Sequence, residues 1–311
     1  MLTPASLHGV WGTVLLPLDT ANQIDVHRLR CELDALTAAG LNGIYAHGTA
    51  GEFHELSEDE YDLVNGLVAE HATRAGLPFQ LGAGHMSTRL SLDRIRRAVR
   101  HGPGAIQVIL PDWTPPQLAE AADALAGMAA AAGGVPLVLY NPPHAKTQLD
   151  AVALAQLAEA VPQLIGIKVA GGDAAWYRAM RPLTGRLSVF VAGHVLASGF
   201  MQGAAGSYSN VACLSPVGAV GWYAMMRADP ARALDVERRL QRFLAEHIGP
   251  LQQRGYAGAA LDKTLAHIGG WAEIGTRVRW PYHGVPEAEA EALRPAARSA
   301  VPELVPAPRC R

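Results

Sequence analysis

"IGIKVAGG", residues 165–172, is an apolar run closed by two glycines and interrupted only by Lys168. A strand that is apolar on both faces belongs in a parallel sheet covered by helices on each side. Seven more runs of this kind surround it. "GVWGTVLLPL" (9–18), "NGIYAHG" (42–48), "PFQLGAG" (78–84), "AIQVILP" (105–111) and "VPLVLYN" (135–141) precede it, and "LSVFVAG" (187–193) and "GAAGSYSN" (203–210) follow.

Helical patterns separate the runs. "DVHRLRCELDALTAAG" (25–40) sets Val26, Leu29, Leu33 and Leu36 on one face and ends at Gly40, a suitable residue to follow a helix. "SEDEYDLVNGLVAEH" (57–71) opens on Ser57 and Glu60, a capping-box pair, and carries Tyr61, Val64 and Val68 as its apolar stripe. Eight strands alternating with helices predict an α/β protein whose parallel strands close into a (β/α)8 barrel. An open doubly wound sheet is the rival, and the lack of GxGxxG after the first strand counts against it. Beyond about residue 215 the pattern is purely helical. The expected organisation is a barrel over 1–225, a helical C-terminal extension over 226–290 and a loose Pro- and Ala-rich tail over 291–311.

Charge and cysteine content narrow the function classes. With 26 basic and 28 acidic residues, no polycationic face for nucleic acid and no basic membrane-surface patch are expected, so a small-molecule ligand is the default. Apolar stretches are short, and "MLTPASLHGV" lacks the charged start and long apolar core of a signal peptide, which predicts a cytoplasmic location and no membrane partner. Cys31, Cys213 and Cys310 are scattered, without the spacing of a disulfide framework or a cysteine zinc site.

In a barrel of this type, chemistry gathers at the C-terminal ends of the strands. The chain has only three lysines, Lys146, Lys168 and Lys263, and Lys168 sits at such an end. A desolvated lysine loses its proton readily and becomes an amine nucleophile toward a carbonyl; a lysine paired with a carboxylate across the barrel is the alternative. Tyr140 closes the preceding strand, where a phenol could carry the proton that amine condensation requires. "GTAGEF" (48–53) is a glycine-bearing loop: Gly48 and Gly51 let backbone N–H groups approach an anion such as the carboxylate of a 2-oxo acid, and Thr49 adds a hydroxyl.

Taken together, "GTAGEFHELSEDEY" (48–61), "LYNPP" (139–143) and "IGIKVA" (165–170) resemble the dihydrodipicolinate synthase and N-acetylneuraminate lyase family of class I aldolases, over roughly residues 8–225. The resemblance implies that Lys168 forms a Schiff base with pyruvate or another 2-oxo acid, with no cofactor. It implies that Tyr140 relays the proton and that Thr49 and the Ala50 backbone bind the carboxylate. It also implies a homotetramer built as a dimer of dimers, and an aldehyde as second substrate. Departures are visible too. Ala50 stands where the family often has a second hydroxyl residue, and Trp113 in "LPDWTPP" (110–116) stands where the synthases have a relay tyrosine that crosses to a neighbouring subunit. Ala145, with Lys146 beside it, replaces the arginine that holds the second substrate's carboxylate. These departures argue against the lysine-biosynthesis reaction.

His47, His85, His144 and His194 all fall at or just past strand ends. Each can be a satisfied mouth residue, or, with Glu52, part of a metal cluster of a class II aldolase. The third reading, to which His85, His144 and His194 are assigned, is recognition of the second substrate, with Trp113 as an aromatic wall and Tyr208 beside them. The alternatives for function are a Schiff-base dehydratase of a hydroxylated 2-oxo acid and a catalytically retired ligand-binding or regulatory barrel.

Overall fold

Each apolar run forms a short parallel strand: β1 (Gly9–Thr13), β2 (Gly43–Ala46), β3 (Phe79–Gly82), β4 (Ala105–Val108), β5 (Leu137–Tyr140), β6 (Leu164–Lys168), β7 (Ser188–Phe190) and β8 (Gly206–Tyr208). The structure is a computed structural model describing residues 1–305. Every strand pairs with its sequence neighbours, and β8 returns to β1 through Gly9↔Gly206, Val10↔Ser207 and Trp11↔Tyr208, so the barrel is closed as expected. Closure removes the two exposed edges that an open sheet would carry.

The helices between strands are α1 (Val26–Ala38), α2 (Glu58–Ala75), α3 (Thr88–Ala98), α4 (Leu118–Ala132), α5 (Ala151–Ala160), α6 (Ala174–Met180) and α7 (Leu196–Met201). In α2 the Ser57 hydroxyl accepts from the Glu60 N–H at 3.2 Å while the Glu60 carboxylate accepts from the Ser57 N–H at 3.0 Å, the reciprocal pair that the sequence announces. Leu29, Leu33 and Leu36 of α1 and Tyr61, Val64 and Val68 of α2 are buried against the outside of the barrel. The barrel's interior is a separate core. Leu7, Trp11, Val138, Ile165 and Phe190 fill it from below, and Tyr45 and Tyr208 belong to the same cluster.

After β8 the chain is helical: α8 (Asn210–Leu214), α9 (Pro216–Ala228), α10 (Pro230–Phe243), α11 (Gly249–Gln253), α12 (Gly258–Gly269), α13 (Glu287–Ala292) and α14 (Arg294–Ala300). Leu244–Ile248, between α10 and α11, is wound as a π-helix. The loose tail expected from residue 291 is not what residues 291–305 form. Ala297, Val301, Leu304 and Val305 are buried, and Arg239 of α10 donates to the Ala300 carbonyl at 2.6 Å and pairs with Glu303 at 2.8 Å. Small Ala and Pro side chains allow close docking, and one arginine fixes the segment. Residues 306–311 of that expected tail, Cys310 among them, lie outside the described residues. Among the described residues no helix is long and apolar enough to cross a membrane.

Candidate active site

Strand register builds the centre of the site. Tyr140 and Lys168, the last residues of β5 and β6, are direct partners in the ladder, so two side chains 28 positions apart in sequence leave the barrel side by side. Lys168 Nζ lies 4.1 Å from the centre of the Tyr140 ring, 5.2 Å from that of Tyr45 and 5.6 Å from that of Tyr208. Burial lowers the Lys168 pKa to about 8, against the opposing pull of the Asp262 carboxylate and, more weakly, Cys213. At pH 7 about one amine in ten is then neutral, a few hundredfold more than for an ordinary lysine.

Thr49 follows β2 on the opposite wall and brings its Oγ1 to 3.4 Å from the Tyr140 hydroxyl. Burial raises the Tyr140 pKa, so its phenol holds its proton as a donor. Both glycines of the loop are required sterically: a Cβ at Gly48 would collide with the Tyr45 hydroxyl, and one at Gly51 would lie 2.9 Å from the Val14 carbonyl. Glu52, with φ of 50°, turns its carboxylate away from the cavity. There it accepts from Lys263 Nζ at 2.5 Å and from the Arg279 N–H at 2.6 Å, which ties the loop to α12 and the segment after it.

Lys168, Tyr140, Thr49, Ala50, Tyr208 and His194 share one cavity of about 390 Å³. The Tyr208 hydroxyl donates to Gln80 at 2.8 Å and the Tyr45 hydroxyl to Gln107, so both rings form a floor whose polar ends are committed below. A mainly apolar chamber of about 460 Å³ adjoins at Thr49 and Tyr140; Phe53, Met86, Ile109, Leu110 and Pro142 line it, and His54, Glu55, Asp112, Asn141, His144 and Thr147 are its polar members. A second chamber of about 440 Å³, beside the π-helix, adjoins at His194, Asn210 and Asp262.

The four strand-end histidines do not converge. His47 is buried with its ring 4.4 Å from Tyr61 and its Nε2 2.9 Å from Asn65 Oδ1, and burial lowers its pKa to about 3. His85 accepts the Ser87 N–H at the start of α3 and lines neither chamber. Only His144 and His194 reach cavity walls, on opposite sides of Lys168. Trp113 is 78% exposed and lines none of the three spaces; the Lys146 ammonium lies 5.1 Å from its ring and donates to its carbonyl at 2.9 Å. Among the described residues no three His, Cys, Asp or Glu side chains form a group suited to a metal ion.

Thr13, Asn210, Cys213 and Asp262 also line the Lys168 cavity. Asp262 is the one that a survey of strand ends cannot reach, because it comes from α12 in the helical extension. The available signal was the Asp262–Lys263 pair in an otherwise Ala- and Leu-rich helix.

The family model described as the dihydrodipicolinate synthetase family matches residues 6–299. An uncharacterized DapA-like lyase of Halobacterium salinarum is 30% identical over 274 residues, covering 84% of this chain and 89% of the relative. An N-acetylneuraminate lyase of Citrobacter koseri is 31% identical over 137 residues, 44% of this chain and 46% of the relative. Among solved structures, YagE, a prophage protein of the dihydrodipicolinic acid synthase family from E. coli K12 in complex with pyruvate, superposes with a TM-score of 0.83 at 21% identity, covering 94% of this chain and 98% of that one.

Proposed function

The chain belongs to the dihydrodipicolinate synthetase family, whose relatives include lyases, and from that premise we propose a lysine-dependent carbon–carbon lyase acting on a 2-oxo acid such as pyruvate. The observation that carries the reading is the Lys168 amine, desolvated at a barrel mouth within 4.1 Å of the Tyr140 ring centre. Its neutral form attacks the 2-oxo carbon. Tyr140 supplies the proton with which the carbinolamine loses water, and the Thr49 hydroxyl and Ala50 N–H hold the carboxylate. The covalent imine is the electron sink, so no cofactor takes part. A homotetramer belongs to the same proposal.

The apolar chamber receives the second substrate, an aldehyde with an apolar or aromatic body. Lys146 Nζ is bonded to the Trp113 carbonyl rather than offered to a second carboxylate, which favours a reaction other than the lysine-biosynthesis condensation. The test is pyruvate consumption with benzaldehyde, glycolaldehyde and aspartate semialdehyde, with and without EDTA. Benzaldehyde is expected to be used fastest, with EDTA without effect. A preference for aspartate semialdehyde, or activity lost to EDTA and restored by zinc, would reverse the assignment. Product analysis on a 4-hydroxy-2-oxo acid separates cleavage, which gives an aldehyde, from the dehydratase outcome.

Tyr140→Phe removes one hydroxyl and keeps the ring against Lys168. Imine formation is expected to slow roughly 10²-fold or more, on the scale of a positioned acid–base group. An unchanged rate, read by borohydride trapping with pyruvate, would move the proton to Thr49 or water.

A further inference from the structure

We propose that Asn210 positions His194 as a hydrogen-bond donor to the oxygen of the second substrate, first the carbonyl oxygen of the aldehyde and then the hydroxyl it becomes; the inference rests on the lyase reading above. His194 follows β7, whose last residue, Phe190, is the ladder partner of Lys168. Its side chain lines both the cavity that holds Lys168 and the chamber beside the π-helix.

Two hydrogen bonds decide which ring nitrogen carries the proton. Asn210 Oδ1 accepts the His194 backbone N–H at 3.2 Å, which fixes the orientation of the amide. Asn210 Nδ2 then faces His194 Nδ1 at 3.1 Å, and because an amide nitrogen only donates, Nδ1 is the acceptor. The proton of the neutral ring is thereby placed on Nε2. The main chain is held as closely. Gln241 of α10 donates to the His194 carbonyl at 3.1 Å, and a Cβ on Gly193 would lie 2.6 Å from Asn210 Oδ1, so only glycine admits this approach. Nε2 itself has no partner among the described residues, which leaves one oriented N–H for a bound group at the wall of the Lys168 cavity.

The ring is kept neutral by its surroundings. Burial lowers the His194 pKa, against the Asn210 bond and the Glu237 carboxylate of α10, which is committed to the Ala197 and Ser198 N–H groups. The other titratable groups on the cavity wall are Lys168 of β6, Tyr140 of β5, Tyr208 of β8, Cys213 of α8 and Asp262 of α12. A neutral donor suits a carbonyl oxygen, which gains negative charge as the carbon–carbon bond forms. Substrate geometry supplies the place. C2 of the imine is planar, with its carboxylate turned to the β2 loop and its nitrogen at the end of β6. Tyr140 occupies the β5 side, so C3 turns toward β7. The aldehyde carbon bonds to C3, and its oxygen and its body point apart; an oxygen turned to His194 leaves the body toward the mainly apolar chamber at Thr49 and Tyr140. Tyr140 remains the proton carrier, and His194 binds the oxygen without giving up its proton.

His194→Ala, His194→Gln and Asn210→Asp are compared in two assays. Borohydride trapping with pyruvate alone reads imine formation, and steady-state kinetics use pyruvate with whichever aldehyde of the panel above the wild type consumes fastest. His194→Ala is expected to lower kcat/KM for the aldehyde about 10²-fold, the scale of one donor lost from a developing oxyanion, while trapping stays within about threefold of wild type. His194→Gln, which keeps a side-chain N–H, should recover part of that loss. Asn210→Asp gives a readout that a merely structural role would not move. A carboxylate accepts from Nδ1, so Nε2 of the neutral ring is bare and the donor is lost; once the ring is protonated both nitrogens donate and it returns. The ratio of variant to wild-type kcat/KM should therefore rise about tenfold as pH falls from about 8 to about 6. The added charge in the Lys168 cavity acts in the opposite sense, because it raises the lysine pKa and depresses the ratio in acid. A ratio that is flat or falls in acid would overturn the proposal, as would His194→Ala within about threefold of wild type for the aldehyde, or trapping that collapses together with aldehyde turnover. No trapped adduct in the wild type, or an adduct with no aldehyde consumed, is a different result, which overturns the lyase reading itself.

Discussion

Lys168→Ala is expected to reduce aldol turnover by about 10³-fold or more and to abolish borohydride trapping with pyruvate, because it removes the atom that becomes bonded to the substrate. Stability should hold or rise. The barrel lowers the Lys168 pKa by burial, so it disfavours the ammonium, and alanine suits a strand end next to Val169 and Ala170. The sign with pH follows: neutral amine increases as pH rises, so wild-type trapping should climb to about pH 8 and flatten above it. Lys146→Ala is the control, since its ammonium is engaged with Trp113 outside the cavity. Turnover by Lys168→Ala within about tenfold of wild type would contradict a covalent role.

Lys263→Met carries the largest expected loss of stability. Lys263 is completely buried, and its ammonium is held by Glu52 and by the Arg277 carbonyl. Removing one partner leaves the Glu52 carboxylate buried with only the Arg279 N–H, a change that costs about 3–5 kcal/mol in comparable buried pairs. The Glu52→Gln, Lys263→Met double variant should recover part of that loss, since no charge is then left unpaired. Urea or thermal melts of both variants read the effect. A single-variant loss below about 1 kcal/mol would show that water reaches Glu52 and that the pair does not anchor the loop. Because Glu52 follows Ala50 by two positions, the single variant should also weaken pyruvate trapping.

Much of the architecture was legible because parallel strands covered on both faces leave uninterrupted apolar runs, and helices between them carry a different period. The pairing of Lys168 with Tyr140 was also approachable, since the two lie toward the C-terminal ends of consecutive runs. What the runs do not contain is the direction of a side chain one or two residues beyond a strand. His47 has φ of 63° and packs outward on Tyr61 of α2, whereas His85 folds back to cap α3; proximity to a strand end suggested the mouth for both, and backbone conformation turns both away from the cavities. Trp113 lines no cavity of its own chain for a related reason, because its loop is clasped by Lys146 and turns the ring outward. Asp262 was hidden differently. It enters from a helix more than 90 positions after Lys168, and only tertiary packing of α12 over the mouth brings the two together. The Pro- and Ala-rich end of the chain misled by composition, which does not record that Arg239 waits to receive Ala300 and Glu303.

With three lysines in the chain, the central claim reduces to which one becomes covalently modified. Wild-type protein is reduced with borohydride in the presence of pyruvate, digested, and its modified peptide identified by mass spectrometry. The account predicts a single adduct, on Lys168. An adduct on Lys146 or Lys263, or none at saturating pyruvate, would contradict it.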